Sequence, residues 1–134
     1  MTHYTQTRPP ISGRRMTLAT DLDGTFLGGT EAERSTLYDW IERNRDSIGL
    51  IFVTGRDPAF IIEMCRDRGL PWPEYVVGDV GTTIAKVRAD GTIAPIPALE
   101  ADIALRWDNA GARVEAALEG HPGLTRQPTE CRHR

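Results

Sequence analysis

The chain of 134 residues has little of what defines several common classes of protein. Its two cysteines, Cys65 and Cys131, have neither metal-ligand spacing nor the number that a disulfide framework needs. No apolar stretch approaches the length of a membrane span, and the amino terminus lacks the apolar region of a secretory signal. A net charge of −3, without a run of basic residues, gives no reason to expect nucleic-acid binding. These absences favour a soluble protein, with the cytoplasm as its default location.

Lysine and histidine are also scarce. Lys86 is the only lysine, so almost every basic residue is an arginine. The histidines, His3, His121 and His133, lie in predicted tails or loops without a partner at ligand spacing, and we assign them no function. The share of hydrophobic residues, 40%, is that of an ordinary globular protein, and the length suits one domain.

Two aspartates separated by one residue follow the short apolar run 16–19. They are Asp21 and Asp23, in the sequence Asp-Leu-Asp-Gly-Thr. Alternation along a strand would point both carboxylates to one side and Leu22 to the other. Carboxylates that close repel each other unless a cation lies between them or one is protonated. An isolated Asp-x-Asp-Gly also suits a turn, but the buried run before it and the pattern on the next strand favour chemistry.

That next strand is the apolar run Ile48–Val53, which ends in Thr54, Gly55 and Arg56. An apolar run without alternation predicts a strand buried on both faces, as in a parallel sheet under helices. The hydroxyl, the flexible amide and the guanidinium that follow can hold an oxyanion where a helix begins. Because parallel strands end at the same edge of a sheet, these groups are expected beside the two aspartates.

The whole pattern predicts an α/β fold with three parallel strands, flanking helices and a β-hairpin. We expect a disordered leader over 1–14 (a transit peptide is the alternative), a core over 15–120, and a frayed tail over 121–134. Cys65 falls in an apolar helical segment and is expected in the core. The predicted elements are strands at 16–19, 48–53 and 74–78, a hairpin at 82–87 and 92–96, and helices after Thr30, from Asp57 to Gly69, and at 98–107 and 110–118.

Asp21–Thr25 followed by Val53–Arg56 resembles motifs I and II of the haloacid dehalogenase superfamily of phosphatases. The later segment Gly78–Ile84 is similar to a segment of the sucrose-phosphate phosphatase branch. Members of that branch carry an α/β cap of type IIB. The resemblance covers roughly residues 15 to 120, and the first motif is its most specific part. It implies a partial Rossmann-like core, a Mg²⁺ ion, and transfer of a phosphoryl group to an aspartate and then to water.

The resemblance also implies roles for particular residues. Asp21 would be the nucleophile, and Asp23 would protonate the leaving oxygen and then deprotonate water. Mg²⁺ would bind the Asp21 carboxylate and the backbone carbonyl of Asp23. Thr54 and the Gly55 amide would hold phosphate oxygens. Arg56 would contact phosphate or substrate, although an exposed arginine that merely ends a strand is an equal alternative.

Two motifs of the superfamily have no counterpart here. Lys86 lies in the predicted hairpin, before any cap, so the lysine of the third motif is not assigned to it. Nothing after residue 109 resembles the acidic fourth motif, and we expect an N-terminal portion of a longer protein. The strand before Asp21 would then lie at a sheet edge, Mg²⁺ would bind weakly, and turnover would be low. Asp79, in Gly-Asp-x-Gly, is expected to serve a turn.

Three functions are compatible with these motifs. The first is a Mg²⁺-dependent phosphatase for a small phosphorylated metabolite, in particular a sugar phosphate. The second is a non-catalytic module that binds phosphate or pairs with another chain, including a second copy, through the open sheet edge. The third, a phospho-acceptor signalling domain, is disfavoured by the Asp-x-Asp-Gly-Thr spacing and by Thr-Gly-Arg on the next strand.

Overall fold

The structure is a computed structural model that describes residues 8–107 and 110–126. Some predictions fall outside these residues: the first half of the leader, the helix break at 108–109, and the end of the tail with Cys131. The strands are β1 (Met16–Thr20), β2 (Ile48–Val53), β3 (Tyr75–Gly78), β4 (Thr83–Val87) and β5 (Ile93–Pro95). The helices are α1 (Glu31–Arg43), α2 (Pro58–Arg68), α3 (Pro97–Trp107) and α4 (Gly111–Leu118).

In the described residues, five strands form one sheet in the order β1-β2-β3-β4-β5. β1, β2 and β3 are parallel, with Thr20 opposite Phe52 and Val53 opposite Val77. β4 and β5 extend the sheet as antiparallel neighbours. The predicted α/β fold with three parallel strands and a hairpin is therefore confirmed. The hairpin belongs to the same sheet, and β1 lies at one end of the strand order.

The helices next to the site begin where local sequence signals place them. The capping box of α1 forms between Thr30 and Glu33, each side chain bonding to the backbone of the other. The Asp57 side chain accepts a hydrogen bond of 2.6 Å from the first turn of α2, and Pro58 occupies the first helical position. Gly69 ends α2 in the left-handed conformation, with φ of 66°.

The core lies between one face of the sheet and the helices α1 and α2. Alternate residues of β2, Leu50 and Phe52, point into it and are fully buried. Cys65 is buried there as expected, and burial raises the pKa of its thiol to about 12. The buried cluster comprises Leu22, Phe26, Ile41, Leu50, Phe52, Ile61, Met64, Cys65, Leu70 and Val76.

The prediction that β2 is buried on both faces is wrong at its carboxyl end. Ile51 is only half-buried, and Val53 is 41% exposed. The reason is that the buried cluster joins α1 and α2 to the face that carries Leu50 and Phe52. Ile51 and Val53 point to the opposite face because side chains alternate along a strand.

At the other end of β2, that opposite face is covered by the segment that precedes β1. Ile11, in a short 3₁₀ turn, packs so closely on Gly49 that a Cβ there would lie 2.2 Å from Cγ1 of Ile11. Within the described part of the expected leader, residues 8–14, Ile11 and Arg14 therefore contact β2. The division of the chain into leader, core and tail stays a prediction. Among the described residues, no helix combines the length and apolar character needed to cross a membrane.

A cluster of charged side chains joins the amino ends of the parallel strands. The carboxylate of Glu74, just before β3, accepts hydrogen bonds from Arg14 (2.6 Å) and Arg45 (2.8 Å). It also accepts one from the backbone N–H of Leu50 (2.7 Å). The two arginine side chains are only 3% exposed, and that of Glu74 is 18% exposed. We call Arg14, Arg45 and Glu74 the amino-edge cluster, since each precedes one of the three parallel strands.

We expect Glu74→Gln to destabilise the fold by about 2–4 kcal/mol, because it leaves two buried guanidinium groups without a balancing charge. Urea unfolding followed by circular dichroism measures the change. The matched control is Asp39→Asn, which removes a carboxylate from an exposed pair with Arg43 (3.8 Å) and should cost about 0.5 kcal/mol or less. Equal midpoints for Glu74→Gln and the unchanged protein would show that the cluster does not stabilise the fold.

Candidate active site

Three loops meet at the carboxyl edge of the parallel strands, at the opposite end of the sheet from the amino-edge cluster. They follow β1, β2 and β3. Thr20 in β1 lies opposite Phe52 in β2. Asp21 is one residue beyond Thr20 and Thr54 is two residues beyond Phe52, so both follow the same level of the sheet on adjacent strands. The backbone N–H of Thr54 donates to the carbonyl of Val77 in β3 (2.9 Å). The expected convergence of acidic and anion-binding segments at one edge is therefore seen.

In the loop after β1, buried apolar side chains alternate with exposed polar ones. Leu22 is fully buried and Phe26 is 3% exposed, whereas Asp21 and Asp23 are exposed. β1 ends at Thr20, so the two carboxylates belong to the turn and not to the strand. Gly24 has φ of 72°, a conformation that favours glycine. Burial of Leu22 and Phe26 thus leaves Asp21 and Asp23 on the solvent side. The sequence analysis expected alternation along a strand to separate Leu22 from the aspartates, whereas in the structure this separation occurs in a turn.

Asp21 is held in place by hydrogen bonds to its neighbours in the chain. Asp21 is extended, and its Oδ1 accepts a hydrogen bond from the N–H of Leu22 (2.8 Å). The Thr20 hydroxyl donates to the backbone carbonyl of Asp21 (2.9 Å). These contacts fix the backbone and one carboxylate oxygen of Asp21, while the side chain stays exposed.

The loop after β2 provides the groups expected to bind an anion. Thr54 is 6% exposed, and its hydroxyl oxygen accepts from the N–H of Arg56 (3.3 Å), which leaves its own hydrogen to donate elsewhere. Gly55 is exposed. The Arg56 carbonyl accepts from the N–H of Asp79 (2.9 Å) and lies so near Gly78 that a Cβ there would be 2.9 Å from it. A glycine at 78 is thus needed for the loops after β2 and β3 to meet.

An ion pair joins the first two loops. Nε–H and Nη2–H of Arg56 donate to the two carboxylate oxygens of Asp23, at 2.6 and 2.7 Å. These hydrogen bonds hold the pKa of the Asp23 carboxyl below its usual value, and Asp23 in turn raises the pKa of Arg56. The Arg56 guanidinium also lies 4.6 Å from the centre of the Phe60 ring. The sequence indicated both charged residues but not their pairing, although opposite charges after adjacent strands were the available signal.

The turn after β3 is as expected for Asp79 and unexpected for its neighbour. Asp79 is 4% exposed, accepts a hydrogen bond from the Thr83 hydroxyl (2.8 Å) and begins the turn that was predicted there. Val80 has φ of 59°, uncommon for a β-branched residue, and the residue is 78% exposed beside Gly55. Nothing in the composition of the segment indicated this outlier at the edge of the site.

The donor atoms at this edge match part of a magnesium shell. Mg²⁺ in proteins is held by one or two carboxylates, with waters and substrate phosphates as its other ligands. The Asp21 carboxylate and the Asp23 carbonyl are oxygen donors of that kind. In the described part of the chain, no three or more His, Cys, Asp or Glu side chains are grouped so that they could hold a metal ion. The two oxygen donors after β1 are chemically suited to a hard cation such as Mg²⁺.

The parallel sheet and the paired loops agree with the Rossmann-like core that the resemblance to the haloacid dehalogenase superfamily implied. The family model of sucrose-6F-phosphate phosphohydrolase matches residues 14–134. The chain therefore belongs to the sucrose-6F-phosphate phosphohydrolase family, and the resemblance inferred from its motifs is confirmed.

The chain is also similar to individual proteins and to a solved structure. The chain is 38% identical over 104 residues to the glucosylglycerol-phosphate synthase of Pseudomonas anguilliseptica, covering 78% of this chain and 13% of that protein. It is 29% identical over 120 residues to sucrose-phosphatase 2 of Nicotiana tabacum, covering 87% and 27%. The sucrose-phosphatase of Synechocystis sp., solved with sucrose and phosphate, shares the fold, with a TM-score of 0.74, 23% identity, and coverage of 86% and 44%. The chain thus spans less than half the length of each of these relatives.

We expect Arg56→Gln to raise the pKa of the Asp23 carboxyl, because the hydrogen bonds that favour the charged form are lost. In the unchanged protein, the stabilisation from this pair is present above the unfolded pKa and is lost as the pH falls through the lower folded pKa. Carboxyl ¹³C NMR over an acid titration measures both values.

Asp90 serves as the internal control for this titration. Hydrogen bonds from Thr92 lower its pKa, and it should titrate identically in the two proteins. An Asp23 signal that titrates at the same pH with and without Arg56 would contradict the pairing.

Proposed function

We propose that this chain carries the phosphate-handling loops of a Mg²⁺-dependent phosphatase that acts on a small phosphorylated metabolite, in particular a sugar phosphate. The contact between Asp23 and Arg56 carries the proposal, because it joins the loop with both carboxylates to the loop with the anion donors. Membership of the sucrose-6F-phosphate phosphohydrolase family supports a sugar phosphate as substrate.

In the proposed reaction, the exposed carboxylate of Asp21 attacks phosphorus and forms an aspartyl-phosphate, while the bond from phosphorus to the leaving oxygen breaks. Asp23, in its protonated form, gives a proton to that oxygen and becomes a carboxylate. It then takes a proton from the water that attacks phosphorus in the intermediate, which breaks the bond between the Asp21 oxygen and phosphorus and releases inorganic phosphate. The Thr54 hydroxyl and the Gly55 N–H donate to non-bridging oxygens of the phosphoryl group, which stay on phosphorus throughout.

Mg²⁺, when bound, would neutralise phosphate charge, with the Asp21 carboxylate and the Asp23 carbonyl as its protein ligands. The chain's own groups then orient the phosphate between the two loops. Arg56 is a further candidate for contact with the phosphate, since its fork can bind phosphate as it binds a carboxylate.

Low turnover by this chain is part of the proposal. Lys86 lies opposite Tyr75, the first residue of β3, and is therefore at the amino edge of the sheet and not at the candidate site. Catalytic groups that act as a unit depend on one another. A site without its lysine and its further acidic ligands can therefore lose many orders of magnitude in rate. This placement of Lys86 favours a second candidate function, a non-catalytic module that binds phosphate.

Two further parts of the proposal concern assembly and location. β1 pairs with β2 on one side and lies at the end of the strand order, so its other edge could pair with a second copy or another chain. We also propose a cytoplasmic location, in keeping with the sequence.

The decisive experiment is hydrolysis of a panel of phosphomonoesters with MgCl₂, comparing the unchanged protein with Asp21→Asn. We expect any turnover to fall by a factor on the order of 10³ or more, because the nucleophile is lost. Asp39→Asn, an equal change in charge on α1, should leave the rate unchanged.

Equal inactivity of the unchanged protein and Asp21→Asn would reject the enzyme for this chain. Binding of beryllofluoride or phosphate is then measured separately. Binding that requires Asp21 and Thr54 but brings no turnover would favour the non-catalytic module.

A further inference from the structure

Arg56 has a fixed backbone and an exchangeable side chain. Its N–H donates to the Thr54 hydroxyl (3.3 Å), and its carbonyl accepts from Asp79 (2.9 Å). The guanidinium, by contrast, is held by Asp23 in a pair whose side chains are 41% and 52% exposed. A pair this exposed is weak enough for another anion to displace one partner.

A phosphate group is the anion that suits this guanidinium. Carboxylate and phosphate both accept two parallel N–H bonds from an arginine fork, so one can replace the other without a change in donor geometry. Phe60, in the first turn of α2, lies 4.6 Å from the guanidinium and can keep it at the carboxyl edge while its partner changes. The Thr54 hydroxyl lies in the same loop, two residues before Arg56.

We propose that Arg56 is held by Asp23 when no phosphate is bound, and that an arriving phosphate group takes Arg56 and frees the Asp23 carboxylate. The inference rests on the proposed function, since it concerns the same phosphate site. Asp23 therefore competes with the ligand for Arg56, and the carboxylate that must face the leaving oxygen is released when a phosphate is in place. No covalent step is involved, only an exchange of ionic partners.

Affinity for inorganic phosphate, measured by NMR titration of the full chain with MgCl₂, tests the exchange as a double-mutant cycle. We expect Asp23→Asn to tighten binding by up to about fivefold, because the competing carboxylate is gone. Arg56→Gln should weaken binding by a similar or larger factor. In the Arg56→Gln background, Asp23→Asn should bring no such gain, because there is no guanidinium left to release.

The controls are Asp39→Asn and Arg43→Gln, which make the same charge changes in an exposed pair on α1 and should not alter affinity. Glucose 6-phosphate is the second probe, since it carries the same group on an ester and separates free phosphate from a phosphomonoester as the ligand. The Nε–H signal of Arg56, assigned by its loss in Arg56→Gln, should move during titration with the probe that binds.

Two results would overturn the inference while leaving the phosphate site intact. One is phosphate binding that Arg56→Gln does not weaken. The other is an equal gain from Asp23→Asn with and without Arg56, which would show plain repulsion by the Asp23 charge. If neither probe binds to the unchanged protein or to any variant, the inference and the proposed function both fail.

Discussion

Parallel pairing between β1 and β2 is the constraint on which the candidate site depends. The register of Thr20 with Phe52 makes both strands end at one edge, so the segments that follow must be neighbours. Leu22 and Phe26 then anchor the first segment in the core, and this turns the intervening polar residues outward. The positions of the polar groups at the site therefore depend on the packing of apolar side chains, which are not themselves reactive.

The elements that sequence predicted well depend on short-range rules. The capping box of α1 and the Pro58 and Gly69 signals of α2 involve residues within a few positions of each other. Such signals depend on neighbouring residues and not on tertiary contacts, so they can be recognised directly in a sequence. The same holds for the order of strands and helices, which limits the topology to parallel crossovers.

What the sequence could not predict depends on distant residues. Whether Arg56 would bind substrate or simply end a strand stayed open, because its partner Asp23 lies in another loop. The exposure of Val53 has a similar origin: an apolar run shows that a strand tolerates burial on both faces, not that both are covered. The positive φ of Val80 is a third example, since a β-branched residue gives no sign in the sequence that it will adopt this conformation.

The position of the amino-edge cluster has a consequence for how the fold tolerates change. Glu74 and its arginines tie the strands together at one end of the sheet, whereas the candidate reactive groups occupy the other end and are different side chains. Sites that share no interacting residue respond to substitution independently. The carboxyl edge can therefore vary in evolution, or in the laboratory, to accept new ligands while the opposite end preserves the architecture.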